Sequence, residues 1–121
     1  MASVFEVPIY TDKRGSLISI EKCLPFKISR TYFIYDISGC ERGGHRHKVC
    51  WQALVSINGS CVVSCNDGFS RENFIMDKPQ KILILKPEDW HKISSFTKNT
   101  ILVVLASHTY DKDDYIYEDY K

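Results

Sequence analysis

The stretch Ala53-Leu54-Val55-Ser56-Ile57-Asn58-Gly59-Ser60-Cys61-Val62-Val63-Ser64-Cys65-Asn66-Asp67-Gly68 decides the fold class. It holds two apolar runs with many β-branched residues, each far shorter than a helix needs, separated by Asn58-Gly59 and closed by Asp67-Gly68. Asn-Gly between apolar runs is a strong hairpin signal, because a type I′ turn requires positive φ at both central residues. The spacing therefore predicts a hairpin at Asn58-Gly59 and a second tight turn at Asp67-Gly68. The same punctuation continues in both directions. Upstream lie Leu17-Ile18-Ser19-Ile20 and Thr31-Tyr32-Phe33-Ile34-Tyr35; downstream lie Asn73-Phe74-Ile75-Met76, Lys81-Ile82-Leu83-Ile84-Leu85 and Thr100-Ile101-Leu102-Val103-Val104-Leu105. Turn signals separate them, at Asp12-Lys13-Arg14-Gly15, Ser38-Gly39, Gly43-Gly44, Lys78-Pro79 and Lys86-Pro87-Glu88-Asp89. Helical periodicity is almost absent, and no repeat or low-complexity segment interrupts the series. Short strands at this spacing predict an all-β sandwich or small barrel over residues 1–121 as one domain. The last stretch, Tyr110 to Lys121, carries five acidic residues and four tyrosines. It is expected to form an arm or short helix on the domain surface or on a partner subunit, with a frayed tail as the alternative.

A chain of 121 residues, 44% hydrophobic and 26% charged, builds one core rather than two. Lys and Arg total 16 against 15 Asp and Glu, a formal net charge of +1. Such a balance excludes binding of nucleic acid or a membrane by bulk electrostatics. The uncharged stretch Ala53 to Asn66 falls short of the ~20 apolar residues that a bilayer demands. Met1-Ala2-Ser3-Val4-Phe5-Glu6 has neither the basic nor the apolar region of a signal peptide, so a cytoplasmic protein is expected. The five cysteines, Cys23, Cys40, Cys50, Cys61 and Cys65, form no CxxC pair, and an odd count suits neither a disulfide framework nor a zinc ribbon. Reduced thiols, buried or half-buried, account for them better.

Histidine placement carries the chemistry. Two of the four histidines fall in Gly43-Gly44-His45-Arg46-His47. On an extended chain they share a face, because side chains alternate along a strand. Two converging imidazoles suit metal ligation or paired acid–base work. His91, in Pro87-Glu88-Asp89-Trp90-His91 near the start of a later strand, is placed to approach the pair in an antiparallel barrel.

This pattern resembles that of a cupin, whose first motif reads G-x5-H-x-H-x3-4-E-x6-G. Gly39, His45, His47 and Gly59 sit at the required offsets, with Gln52 where the glutamate belongs; Pro87 and His91 resemble the second motif, one residue shorter. The resemblance implies a jelly-roll barrel. Gln52 is informative, since a metal cupin uses a carboxylate there to balance a divalent cation and a neutral amide ligates weakly. Three readings stand at this point: a three-histidine metal site of His45, His47 and His91, histidines merely hydrogen-bonded in the interior, and a metal-free acid–base pair.

A closer resemblance covers about Arg14 to Tyr120. Arg14-Gly15-Ser16-Leu17, Pro25-Phe26-Lys27-Ile28-Ser29-Arg30-Thr31-Tyr32-Phe33-Ile34 and Arg42-Gly43-Gly44-His45-Arg46-His47-Lys48 resemble the nucleotide-sugar 3,4-ketoisomerases. Gln52-Ala53-Leu54-Val55, Asn58-Gly59-Ser60, Trp90-His91, Val104-Leu105-Ala106-Ser107 and Tyr110-Asp111-Lys112-Asp113-Asp114-Tyr115-Ile116 continue the match in order. The resemblance implies a small cupin-type jelly roll that forms homodimers. It implies dTDP-4-keto-6-deoxyglucose as substrate, 3-keto-6-deoxyhexoses as products on the way to amino sugars of surface polysaccharide, and no metal or other cofactor.

Moving a ketone from C4 to C3 requires loss of the C3 proton, an enediol, and return of a proton at C4. A group of near-neutral pKa serves both halves. The resemblance implies His45 as the carbon acid/base, with His47 beside it positioning the sugar or shuttling protons between oxygens. It also implies Tyr32 as a donor to the developing enolate oxygen and Arg42 as an orienting or polarising group. Arg30 and Arg14 are candidates for the diphosphate, since guanidinium forks suit phosphate; Gln52 and His91 are further candidates at the substrate. Tyr35, Trp51 and Phe69 are candidates to stack on thymine, with core packing as the alternative. Single-face transfer from C3 to C4 gives a galacto product, whereas a gluco product needs a second donor; His45, His47 and Tyr32 supply both. Arg14-Gly15 also resembles an element of the 3,5-epimerases, but the His–Asp pair of that family, carried on a longer chain, finds no match along the sequence.

Overall fold

The computed structural model describes residues 1–37 and 39–121; Ser38, and with it the expected Ser38-Gly39 turn, lies outside the described residues. Two five-stranded sheets and a two-stranded ribbon make up the β structure. Sheet one runs, in spatial order, β1 (Ser3–Glu6), β9 (Lys81–Leu85), β6 (Gln52–Asn58), β11 (Ile101–Ala106) and β4 (Arg30–Ile34). Sheet two runs β12 (Tyr115–Ile116), β5 (Arg42–His47), β10 (Trp90–Ser94), β7 (Cys61–Asn66) and β8 (Arg71–Met76). The ribbon is β2 (Tyr10–Asp12) with β3 (Gly15–Leu17). All pairings are antiparallel. From β4 onward the chain alternates between the sheets, except at the β7–β8 hairpin, which gives the jelly-roll order. The expected all-β jelly roll is thus observed as a sandwich, its sheets meeting through side chains. No helix among the described residues is long and apolar enough to cross a membrane.

Residues from both inner faces fill the space between the sheets, among them Leu54, Leu83, Leu85, Leu102 and Val104 from sheet one and Val63, Phe74, Met76 and Ile93 from sheet two. Cys61 and Cys65 point into the same core, as their spacing on one strand predicts, and burial pushes their thiols up to about 11 and about 12. A second apolar layer covers the outer face of sheet one, where Ala53, Val55, Ile82, Ile84 and Leu105 meet Ile18, Ile20, Leu24, Phe26 and Trp51. This layer explains why Gln52 through Ser56 are all buried rather than alternating. It also corrects the expected strand at Leu17–Ile20, since the chain leaves β3 at Leu17 and uses Ile18 and Ile20 to cover the sheet.

The Asn58-Gly59 signal marks a turn but not a hairpin. β6 pairs with β9 and β11, β7 with β8 and β10, so Gly59 and Ser60 carry the chain from one sheet to the other. Asn58 stays in β6 opposite Ile101, and only Gly59 takes a positive φ, +72°. Tertiary pairing with β11 therefore overrides the local type I′ preference. Asp67-Gly68 does close a true hairpin, with Asn66 opposite Arg71 and the Asp67 carboxylate accepting the N–H groups of Phe69 and Ser70.

Gly59 is fixed twice over. A Cβ there would stand 2.5 Å from Thr100 Oγ1 and 2.8 Å from Thr97 Oγ1, in a backbone conformation that itself costs L-residues about 1–2 kcal/mol. Gly59→Ala is therefore expected to destabilise the protein by at least about 1–2 kcal/mol. Urea unfolding checks this, and an unchanged midpoint would show that the corner can be rebuilt.

Candidate active site

At one end of the sandwich the inner faces part around a cavity of about 480 Å³. Sheet one contributes Arg30, Tyr32 and Ile34 from β4, because alternate residues of that strand face inward, and Gln52 from β6. Sheet two contributes Arg42, Gly43 and His45 from β5 and His91 from β10. The β5–β10 ladder sets His91 directly opposite His45, then slips so that Lys92 faces Gly43, leaving Gly44 as an extra residue. Bulges of this kind re-aim side chains beside functional sites. Gly43, at φ +82°, has no room for a Cβ, which would stand 2.9 Å from the His91 carbonyl.

The structure thus gathers three imidazoles. His45 lies edge-on to His47 at 5.0 Å and to His91 at 4.9 Å between ring centroids. His45 is half-buried on the cavity wall, whereas His47 and His91 are only 5% and 3% exposed. Burial, reinforced by His47, pushes His45 down to about 4. Burial, reinforced by His45, pushes His91 down to about 3. His91 Nδ1 lies 3.1 Å from the Asp89 carbonyl, which only accepts, so Nδ1 carries the hydrogen. Burial also lowers His47, although the Asp114 carboxylate 2.8 Å from its Nδ1 acts in the opposite direction.

Tyr32 and Gln52 form the facing wall. Gln52 Nε2 donates to Tyr32 Oη at 3.1 Å, which leaves the phenol hydrogen free to point elsewhere. Burial, then the neighbouring Tyr115, raises the Tyr32 pKa, so the phenol stays protonated as a donor. Gln52, standing where a metal cupin has its carboxylate, here orients a tyrosine. The Arg30 guanidinium stacks 4.2 Å from the Tyr32 ring centroid and 5.4 Å from that of Tyr110. Arg42 stands exposed at the mouth, near Glu41, which pairs with Lys92 at 3.6 Å.

Two candidates do not line this cavity. His47 is buried, with its ring edge-on to His45 and Tyr115. Arg14 is kept away altogether. It sits in the β2–β3 turn beside a separate groove of about 380 Å³, its guanidinium 2.6 Å from Asp12. The ribbon pairs with neither sheet, and Asp12 anchors the side chain. The thymine candidates are also elsewhere. Trp51 packs on Phe26 in the outer layer, while Tyr35 and Phe69 are 65% and 97% exposed and so belong to no core.

Sequence reasoning missed the contribution of the C-terminal segment, which is ordered rather than frayed. Asp111 caps a single 3-10 turn at Lys112–Asp114, and β12 then pairs Tyr115 with His47 at the edge of β5. The Tyr115 ring lies 4.6 Å from His45 and 4.7 Å from His47, and Tyr117 also lines the cavity. Beyond it the chain is strapped to sheet two: Trp90 Nε1 donates to the Tyr117 carbonyl, Asn66 Nδ2 to Asp119, and Tyr120 Oη to the Glu88 carbonyl. A His–Asp pair therefore exists in space, between His47 and Asp114, although none is visible along the chain. Cys50 lies close to this pair, its sulfur and the two partners' polar atoms all falling within 4.8 Å of one another.

The family model described as "FdtA: WxcM-like, C-terminal" matches residues 2–121. The chain is 44% identical over 115 residues to the TDP-4-oxo-6-deoxy-alpha-D-glucose-3,4-oxoisomerase of Aneurinibacillus thermoaerophilus, covering 91% of this chain and 83% of that one. This chain belongs to the sugar-nucleotide 3,4-ketoisomerase family. Its fold matches that of a 3,4-ketoisomerase from Helicobacter canadensis with a TM-score of 0.92 at 35% identity, over 97% of this chain and 90% of that one. The sugar 3,4-ketoisomerase QdtA of Thermoanaerobacterium thermosaccharolyticum, solved in complex with TDP, matches with a TM-score of 0.92 at 32% identity, over 97% and 88% of the two chains.

The depressed imidazoles couple stability to acid. Their unfolded value is near 6.5, so below that pH the unfolded chain binds protons that folded His45 and His91 refuse. Stability is then fully present above about pH 6.5 and falls as pH drops toward 4. The urea midpoint of a His91→Gln variant is expected to fall less steeply across this window than that of the parent. Parallel slopes would mean that His91 is charged in the folded state.

Proposed function

We propose that this ketoisomerase converts dTDP-4-keto-6-deoxyglucose to a dTDP-3-keto-6-deoxyhexose by metal-free acid–base catalysis through an enediol. The observation that carries the reading is His45, a neutral, half-buried imidazole on the cavity wall, flanked edge-on by His47 and faced by the Tyr32 phenol. The oxoisomerase relative at 44% identity and the TDP complex of QdtA support the substrate class.

In this reading His45 removes the C3 proton and delivers one to C4. Its pKa, pushed down to about 4 by burial, lies below the near-neutral value that suits the task. Negative charge on the diphosphate and on the developing enediolate favours imidazolium and moves it upward. Tyr32, its hydrogen released by the Gln52 amide, donates to the enolate oxygen. Arg42 orients the sugar, and Arg30, held between two tyrosine rings, supplies a guanidinium to the phosphates. His47 shuttles protons between O3 and O4, and Gln52 and His91 complete the substrate pocket. The unit of function is a cytoplasmic homodimer of this single domain, serving deoxy amino sugar synthesis for lipopolysaccharide O-antigen. In the homodimer, Arg14 of the projecting ribbon is a further phosphate ligand.

Incubation with dTDP-4-keto-6-deoxyglucose in D2O tests the reaction. Deuterium at C3 or C4 with chelator present is expected. Exchange at C5 would indicate epimerisation instead, and complete inertness with stoichiometric bound metal would sink the proposal. His45→Asn is expected to abolish exchange while sparing dTDP binding by calorimetry; persistent turnover would remove His45 from the role of base. Tyr32→Phe should lower kcat by roughly 10²–10³-fold, the usual cost of one oxyanion donor, with dTDP affinity retained.

A further inference from the structure

The acidic C-terminal stretch leaves one carboxylate inside the molecule. Asp114 is 8% exposed, and its two oxygens have different duties. Oδ1 accepts the backbone N–H groups of Lys48 at 3.2 Å and Val49 at 2.9 Å, so it ties down the β5–β6 turn. Oδ2 lies 2.8 Å from His47 Nδ1. Although burial opposes its charge, the Val49 N–H and His47 hold Asp114 below the usual carboxylate range, so it is ionised. An ionised carboxylate offers only lone pairs, and the hydrogen between the two groups therefore belongs to His47 Nδ1. The remaining lone pair sits on Nε2, at the opposite edge of the ring. That atom is buried and meets no hydrogen-bond partner among the described residues. An unpaired buried acceptor stands outside the protein's own hydrogen-bond network, which marks it for a functional role.

We propose that Asp114 is a positioning residue that locks His47 in its Nδ1–H tautomer, so that the free Nε2 lone pair carries the oxygen-to-oxygen proton transfer. The inference rests on the ketoisomerase reading and adds a residue to it. As the C3 hydroxyl becomes a ketone, Nε2 takes the proton leaving O3. It returns one proton to O4 as the C4 ketone becomes a hydroxyl, so the imidazole ends as it began. While the ring holds the extra proton it is a cation, and the ionised Asp114 balances it through the Nδ1–H bond. His45, which meets no carboxylate among the described residues, is left to the carbon atoms. Among the described residues, His47 is the side chain that Oδ2 meets.

Asp114→Asn separates the two duties. The amide oxygen continues to accept from Lys48 and Val49, while the amide N–H₂ facing His47 demands an acceptor at Nδ1 and drives the ring hydrogen to Nε2. The expected result is a kcat lowered by about 10²–10⁴-fold, the usual contribution of a positioned acid–base group, with dTDP affinity by calorimetry unchanged. ¹⁵N NMR of histidine-labelled protein, assigned against a His47→Gln variant, should show Nδ1–H in the wild type and Nε2–H in the Asp114→Asn variant. Activity retained by Asp114→Asn would overturn the inference, as would an Nε2–H tautomer in active wild-type protein. The wild-type spectrum is readable whether or not the variant folds and whether or not the substrate is turned over. Failure of the ketoisomerase reading, seen as an inert wild type, is thus a distinct result.

Discussion

Two sheets that face each other exclude water from whatever lies between them, and here that space contains three imidazoles as well as a hydrocarbon core. Leu54, Leu102, Val104 and Ile93 occupy the interior without cost, but His91 at 3% exposure and His47 at 5% stay there only as neutral, hydrogen-bonded rings. Desolvation therefore does two things at once. It keeps the site's bases unprotonated at neutral pH, and it leaves the N–H of each buried ring in need of an acceptor, the Asp89 carbonyl for His91 and the Asp114 carboxylate for His47. The tautomers follow from packing rather than from any property of histidine itself.

Much of this architecture is legible along the chain, for physical reasons that differ from element to element. The period of two places His45 and His47 on one face, and short β-branched runs mark β4, β6, β7, β9 and β11 within a residue or two. What is lost is partnership. Asn58-Gly59 carries a hairpin signal, yet β6 and β7 belong to different sheets, because pairing across distant sequence decides which edges meet. Trp51 and Phe69 read alike as aromatic residues between strands; one is covered by the loop holding Phe26, the other projects from a turn. Arg14 carries the chemistry of a phosphate ligand, but nothing local says that its ribbon joins neither sheet. Asp114 and Tyr115 leave the faintest trace along the chain, since an acidic, tyrosine-rich tail reads as surface until it is paired through the register Tyr115–His47.

Near-zero net charge acquires a spatial meaning. Arg30 and Arg42 line the cavity, while Asp111, Asp113 and Asp119 lie along the C-terminal strap, with Asp119 answering Arg71 across sheet two. Gln52 fits the same economy of charge. An anionic side chain at that position would offset the charge of Arg30 stacked on the neighbouring Tyr32, whereas the amide adds a donor without adding charge.

The strap is attached to the sandwich by a two-residue ladder and a few side-chain bonds, whereas β11 and β6 share six paired positions. Segments with so little buried contact open locally at far smaller free energy than a core strand. Asp114 and Tyr115 also follow every other strand in the chain, so the sandwich can be complete before they arrive. The molecule accordingly has two scales of opening, a small one at the strap and a larger one at the sandwich. Opening of the strap alone would part His47 from Asp114 while leaving the two sheets intact.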